Sequence, residues 1–429
     1  MAATKRPPKS LTALTSAALA LPGMVDQAQG ATPATKIELE GGLFYYDEGA
    51  DHVEVTSVQQ GMVAPLTDDL DLTLNAVWDS ISGASPVYNA PDLECTETSI
   101  GQSVPVATDT VSGASGTPTT PPSGNGGGQA STQVDCRPTG KVDQVISPTP
   151  FDDRRKALDL KVSHYRGDMV FSLGGGISNE SDYRSNYLSI EMLRDLSQKH
   201  TTLALGLSLA DDEIRPANQP GVSEDKESFQ GFLGVTQVLD KYSLAQVNLS
   251  YTAASGYLAD PYKDVYVLDT NSVLPEQRPE DRHQWNLLGR YVRHFPALDS
   301  SLHLDYRYSQ DDWGLVAQTL ETTWIRSLAD SWLITFGVRY YSQYEADFYQ
   351  DWFDTLPADG HYSSDYRLAT FGALSYRLKL SKALTDSIRI DAGVEYYDRR
   401  VGLSLWETDN TNSTDYDFVA FNVGWKLSF

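Results

Sequence analysis

The chain is poor in cysteine, with 2 among 429 residues. Two thiols build neither a multi-bridge scaffold nor a four-thiolate zinc centre. Cys-x-x-Cys-His is absent, which excludes covalent haem. Basic residues are also scarce: 33 Lys and Arg stand against 58 Asp and Glu, a formal charge of −25. Phosphate backbones are bound by basic surfaces, so nucleic acid is not an expected partner. Past the N-terminus no run of about 18 apolar residues occurs, so an α-helical membrane span is excluded. His-Glu-x-x-His, Gly-x-Ser-x-Gly and a Gly-Lys-Ser/Thr phosphate loop are missing too. The sequence therefore points to no catalytic residue, metal ligand or cofactor. A soluble acidic protein and a membrane β-barrel remain.

The first residues choose a compartment. Lys5, Arg6 and Lys9 precede the short uncharged apolar stretch Leu11 to Leu21, and Ala28-Gln29-Gly30 offers a small-residue cleavage site. This is the pattern of a signal peptide over residues 1–30. Cys95 and Cys136 then meet an oxidising space and are expected to pair.

Beyond residue 150 the apolar residues alternate. Leu302, Leu304, Tyr306 and Tyr308 interleave with His303, Asp305, Arg307 and Ser309; Ile388, Ile390, Ala392, Val394 and Tyr396 interleave with Arg389, Asp391, Gly393 and Glu395. A period of two means strands with one apolar and one polar face. About 16 such segments occur (14–18), near 36–46, 52–60, 69–80, 156–166, 168–178, 183–195, 199–210, 227–240, 241–254, 283–296, 299–310, 313–328, 330–345, 364–380, 384–399 and 414–429. Many exceed ten residues, long enough to cross a membrane at a tilt. The long connections 83–150, 211–226, 255–282, 346–363 and 400–415 each follow an odd-numbered segment, whereas turns such as Arg166-Gly167-Asp168 and Asp240-Lys241 follow even-numbered ones. That alternation fits long outer loops and short periplasmic turns. The fold expected is an all-β, transmembrane antiparallel β-barrel over residues 31–429, with 83–150 as a flexible extracellular insertion. Residues 112–132 within it carry no charge and no large apolar side chain, so they cannot support a packed core.

The same alternation aims Arg290, His294, His303, Asp305, Arg307, Arg339, Arg377, Lys379, Arg389, Asp391, Glu395 and Arg399 inward. Such a face either selects ions or seats a plug, or forms an internal salt-bridge lattice, because buried charges must be paired where water is scarce. His294 and His303 alone make a poor metal site. The five long loops hold 24 acidic and 8 basic residues, a solvated acidic face. The last strand, Val419 to Phe429, ends on an aromatic. Its Asn422, Gly424, Leu427 and Phe429 resemble the C-terminal signal by which outer-membrane barrels are handed to the assembly machinery.

With signal, barrel, Cys-bearing outer insertion and terminal Phe together, the chain resembles an uncharacterised family of Gram-negative outer-membrane β-barrel proteins of about this length. Members are often encoded beside a flavin transferase, a thioredoxin-like protein and a small lipoprotein. The resemblance implies outer-membrane lipid and the barrel-assembly machinery as partners, and a small lipoprotein or periplasmic redox protein as a further one. The expected function is a non-enzymatic channel, or a sheath or scaffold for a partner in an extracytoplasmic redox or electron-transfer system. The alternatives are an adhesin or receptor using the acidic loops, and, more weakly, a barrel hydrolase resting on Asp359 and His361.

Overall fold

A computed structural model describes residues 32–48, 53–83, 86–99, 132–146, 151–329, 331–409 and 415–429. The expected signal peptide and the uncharged 112–132 stretch lie outside the described residues. Twenty strands occur among the described residues: β1 (Glu38–Asp47), β2 (Val53–Thr67), β3 (Leu70–Gly83), β4 (Pro86–Ser99), β5 (Thr132–Ile146), β6 (Phe151–Arg166), β7 (Met169–Asn179), β8 (Tyr183–Leu196), β9 (Thr201–Ile214), β10 (Glu224–Asp240), β11 (Ser243–Gly256), β12 (Asp264–Val267), β13 (Ser272–Pro275), β14 (Asp281–Phe295), β15 (Ser300–Asp311), β16 (Val316–Ala329), β17 (Trp332–Tyr344), β18 (Phe371–Thr385), β19 (Ile388–Arg400) and β20 (Tyr416–Ser428). Sixteen of them close into one barrel, in the order β1-β2-β3-β6 to β11-β14 to β20. Every pair is antiparallel, and β20 returns to β1 with Leu427 opposite Leu39 and Gly424 opposite Gly42. Closure leaves no sheet edge, which a strand structure in lipid requires.

The alternation decides which way each side chain faces. On β9, Leu205, Leu207 and Leu209 point outward and are 45–59% exposed. Between them Gly206 and Ser208 face the lumen. The same holds for Leu158 and Leu160, Leu188 and Ile190, and Leu378 and Leu380. A contiguous apolar girdle of this extent far exceeds the patches that soluble monomers expose. Its physical solvent is the hydrocarbon of a bilayer, and the molecule is a membrane barrel.

The two ends differ. At one end the connections are tight turns, such as Gly167-Asp168, where Gly167 adopts φ +62°. A residue with Cβ is strained there. At the other end lie the long connections. The insertion between β3 and β6 is in part regular: β4 and β5 form a hairpin, with Cys95 opposite Cys136 and their sulfurs bonded. The expected flexible insertion is thus built on an ordered base.

Among the described residues, the largest buried apolar cluster is outside the barrel wall. Trp313, Leu315, Ala346, Phe348, Tyr349, Leu368 and Ala369 pack together at the long-loop end. Val265, Phe353 and Tyr362 form a second cluster. Residues 257–280 and 345–370 are joined there by backbone hydrogen bonds, among them Gln277 N–H to Tyr362 O at 3.0 Å and Phe353 N–H to Tyr266 O at 3.1 Å. The long loops form a folded cap with a core of its own.

Candidate functional site

Beneath the cap lies a cavity of about 890 Å³, within the range of ligand pockets. Its walls come from β6 to β11, β14 and the loop 257–262. One wall carries neutral hydroxyls and amides: Ser208, Ser228, Gln230, Asn248, Ser250 and Asn286. Each is at a lumen-facing position because its strand neighbours carry the outward leucines and aromatics. Tyr187 reaches across Gly176 and donates to Asp159 at 2.8 Å. Gly176 permits this, since a Cβ there would lie 2.2 Å from the Asp159 Oδ1 and 2.4 Å from the tyrosine ring. The Gly174-Gly175-Gly176 run therefore serves close approach of side chains across strands.

The charges that alternation aims inward are on β14, β15 and β17 to β19, and of them Arg307 lines the cavity. Arg290 donates Nε to Asp305 Oδ1 at 2.9 Å and its terminal nitrogen to Oδ2 at 2.7 Å, across directly paired positions of β14 and β15. Arg339 approaches Glu395 at 3.6 Å. Arg377 pairs with Glu321, a carboxylate that sequence inspection passed over. Arg307, Lys379, Arg389 and Asp391 carry no ion pair among the described residues. The lumen is thus part lattice and part unpaired charge. Arg307 is the unpaired member that also lines the cavity. His294 and His303 are not opposite one another: His303 pairs with Val292, and His294 with Ser301. No carboxylate or cysteine joins them in a metal-ligand group among the described residues.

Arg399 departs from the group. It is 2% exposed and stacks over the Phe371 ring at 3.5 Å, with Tyr366 at 5.1 Å and Tyr416 at 5.4 Å. It also donates to the Tyr366 carbonyl at 2.5 Å. Its place is under the cap among aromatics, where cation–π attraction replaces water. At the other end of the strand pattern, Asn422, Gly424 and Leu427 fall on the closing strand β20, and Phe429 follows directly after it, its N–H donating to Ile37 O at 3.0 Å. Asp359 and His361 are neighbours in a cap turn, linked by the His361 N–H to the Asp359 carboxylate at 3.1 Å.

The sequence reading missed an ion network in the cap. Asp365, 1% exposed, accepts from Arg278 at 2.7 Å and from Arg367 Nε at 2.7 and 2.9 Å. Arg278 also meets Glu276 at 2.7 Å, and Arg367 pairs with Asp260. The Ser363 hydroxyl donates to Glu276 at 2.5 Å. Burial raises the Asp365 carboxyl, but the Arg367, Lys263 and Arg278 charges overcome it and hold it well below the usual range. Lys263 pairs with the Pro86 carbonyl of β4, and Asn89 donates to the Ser364 carbonyl at 3.4 Å, so the insertion hairpin is docked on the cap. Part of the loops' acidity is therefore buried and compensated rather than solvated. A second unforeseen group is Asp153, Glu180 and Asp182, whose oxygens lie within 4.8 Å of one another. Burial and its two acidic neighbours push Glu180 up to about 9, so it is protonated at neutral pH. Only the excess of acid in these loops was visible in the sequence, because partners some hundred residues apart leave no local pattern.

Closed sixteen-strand antiparallel topology, an apolar exterior and a polar lumen define a membrane-barrel class of protein. The chain belongs to the family described as protein of unknown function (DUF3570), whose model matches residues 11–223 and 217–409. No curated protein matches. Among solved structures, it is similar to a bacterial polysaccharide outer membrane secretin at 9% identity, covering 92% of this chain and 98% of the other, TM-score 0.46. CdiB from Acinetobacter baumannii matches at 9% identity over 92% and 60%, TM-score 0.48. The CymD monoaromatic hydrocarbon channel matches at 9% over 92% and 88%, TM-score 0.40. These are distant likenesses.

Proposed function

We propose that this protein is an integral outer-membrane barrel of a Gram-negative bacterium and a non-enzymatic conduit for small hydrophilic solutes. Its long-loop end faces outward and its short-turn end faces the periplasm. The observation that carries this reading is the capped cavity of about 890 Å³, into which hydroxyl, amide and charged side chains such as Ser208, Gln230, Asn248 and Arg307 project among apolar ones, inside a closed apolar-skinned wall. Strand β20 and the residue after it supply the signal to the barrel-assembly machinery through Asn422, Gly424, Leu427 and Phe429. Any role in extracytoplasmic redox belongs to a partner protein, with the barrel as sheath or scaffold; the chain lacks the covalent haem motif. Planar-bilayer recordings on the refolded protein test the conduit directly. Discrete conductance steps support it. A folded barrel with no conductance replaces it with the sheath reading.

A further inference from the structure

The outward face at the short-turn end carries a row of cations laid over aromatic rings. Arg293 lies 5.8 Å from the Phe295 ring centre, Arg326 lies 5.9 Å from Trp324, and Lys382 lies 4.7 Å from Trp332; Lys241, 4.6 Å from Tyr242, stands at the rim in the turn before β11, where the Tyr242 ring also meets His294. These residues come from the β10–β11 turn and from β14, β16, β17 and β18, which are contiguous in the barrel with β15. Arg293, Arg326 and Lys382 each stand within three residues of a strand's short-turn end. Alternation aims them outward, since Leu287, Leu320 and Leu380 on the same strands are exposed to the bilayer side. Alternate strands are roughly 10 Å apart at a strand spacing of about 4.8 Å, the scale of neighbouring lipid headgroups.

One carboxylate compensates one member of the row: Asp240, which accepts from the Tyr242 N–H at 2.7 Å and the Ser243 hydroxyl at 2.8 Å, meets Arg293 at 4.0 Å. Asp299 and Asp386 lie in the turns beyond the strand ends. Lys241, Arg326 and Lys382 carry no ion pair among the described residues. At the opposite end the outward positions reverse in sign, with Asp211, Glu213, Glu227 and Asp417 on β9, β10 and β20 and Arg154, Arg184 and Arg400 interspersed. A ring suits the boundary between hydrocarbon and headgroup, and the cation above it reaches the headgroup layer.

We infer that this girdle is a binding site for anionic phospholipid headgroups of the periplasmic leaflet. Each Lys or Arg near a charged lipid surface adds attraction for anionic headgroups, so these cations together discriminate against zwitterionic lipid. The inference rests on the sidedness proposed above. Its test is the thermal midpoint of the refolded full chain, read as loss of the folded band on unboiled gels. Micelles are doped with phosphatidylglycerol or with phosphatidylcholine. Wild type should melt several degrees higher with phosphatidylglycerol, and the difference should shrink as salt rises to about 0.5 M, where exposed charges are screened. The variant K241Q/R293Q/R326Q/K382Q should lose the difference, whereas R154Q/R400Q should keep it. Equal midpoints in the two lipids, or an undiminished difference in the fourfold variant, overturn the site. If that variant does not fold, R326Q/K382Q and the salt series on wild type decide in the same way. Failure of the membrane reading looks different: neither lipid would matter and the chain would stay soluble without detergent.

Discussion

Replacing Arg367 with Met should unlock the cap without opening the barrel. Arg367 gives Asp365 two bonds from Nε at 2.7 and 2.9 Å and pairs with Asp260. Asp365 is 1% exposed and Arg367 is 11% exposed in its side chain, so water replaces little of what is lost. Removing one partner from a buried ion pair costs about 3–5 kcal/mol, because the other charge stays buried. Arg278 remains on Asp365, which favours the lower bound of about 3 kcal/mol. At 1.4 kcal/mol per decade, that is on the order of a hundredfold in the opening equilibrium. Hydrogen exchange reads it at the amides of Gln277, Phe353 and Tyr362, which stitch residues 257–280 to 345–370. These should lose about two decades of protection while Leu207 on β9 keeps its own. Unchanged cap amides, or equal loss in the barrel wall, would refute an independently folded, ion-locked cap.

Further outcomes follow from the same geometry. Glu180 has its carboxyl raised from 4.5 to about 9, so the stability its protonated form contributes is full below about 4.5, declines as pH rises, and is lost once pH passes about 9. Exchange protection of residues 180–182 should fall between pH 5 and pH 10, and Glu180→Gln should abolish that slope. Asp365 is shifted the opposite way: its contribution holds above the unfolded carboxylate value and is lost only as pH falls through a folded value below the usual range. The cap amides should accordingly keep their protection from pH 7 to pH 4. Gly176→Val should destabilise by about 1–3 kcal/mol in urea titrations of the folded band, because the side chain displaces the Tyr187–Asp159 bond. Arg307, Lys379 and Arg389 are unpaired lumen cations, so replacing all three with Gln should shift the reversal potential in a salt gradient toward cation selectivity; an unchanged potential would remove them from the conduction path.

The barrel was legible because its physics is local. Each strand must show lipid one face and the lumen the other, and a period of two is written in every ten residues. All sixteen expected segments correspond to barrel strands. The ends were less clear. The second strand runs to Thr67 rather than ending near 60, with the register shift at Pro65/Thr67 falling in that added length. The eighteenth begins at Phe371, not near 364, because Ser363, Ser364 and Asp365 are drawn into the cap. The short strands β12 and β13 and the hairpin β4–β5 were not foreseen. Their burial comes from contacts with distant loops, and four-residue strands carry too little periodicity to register. The paired lumen charges were half visible: alternation aims Arg377 inward, but only the register of β16 on β17 and β18 brings Glu321 to it.

Closure of the sheet is the claim on which lumen, sidedness and cap all depend. Gly42 on β1 and Gly424 on β20 are directly paired, and a Cβ at either meets nothing closer than 3.4 Å. Cysteines placed at both positions should form a disulfide in the folded protein. After boiling, that crosslinked chain should migrate differently from either single-cysteine variant, since its first and last strands stay tied. Failure of this pair to crosslink in a folded, detergent-solubilised protein would contradict a closed barrel.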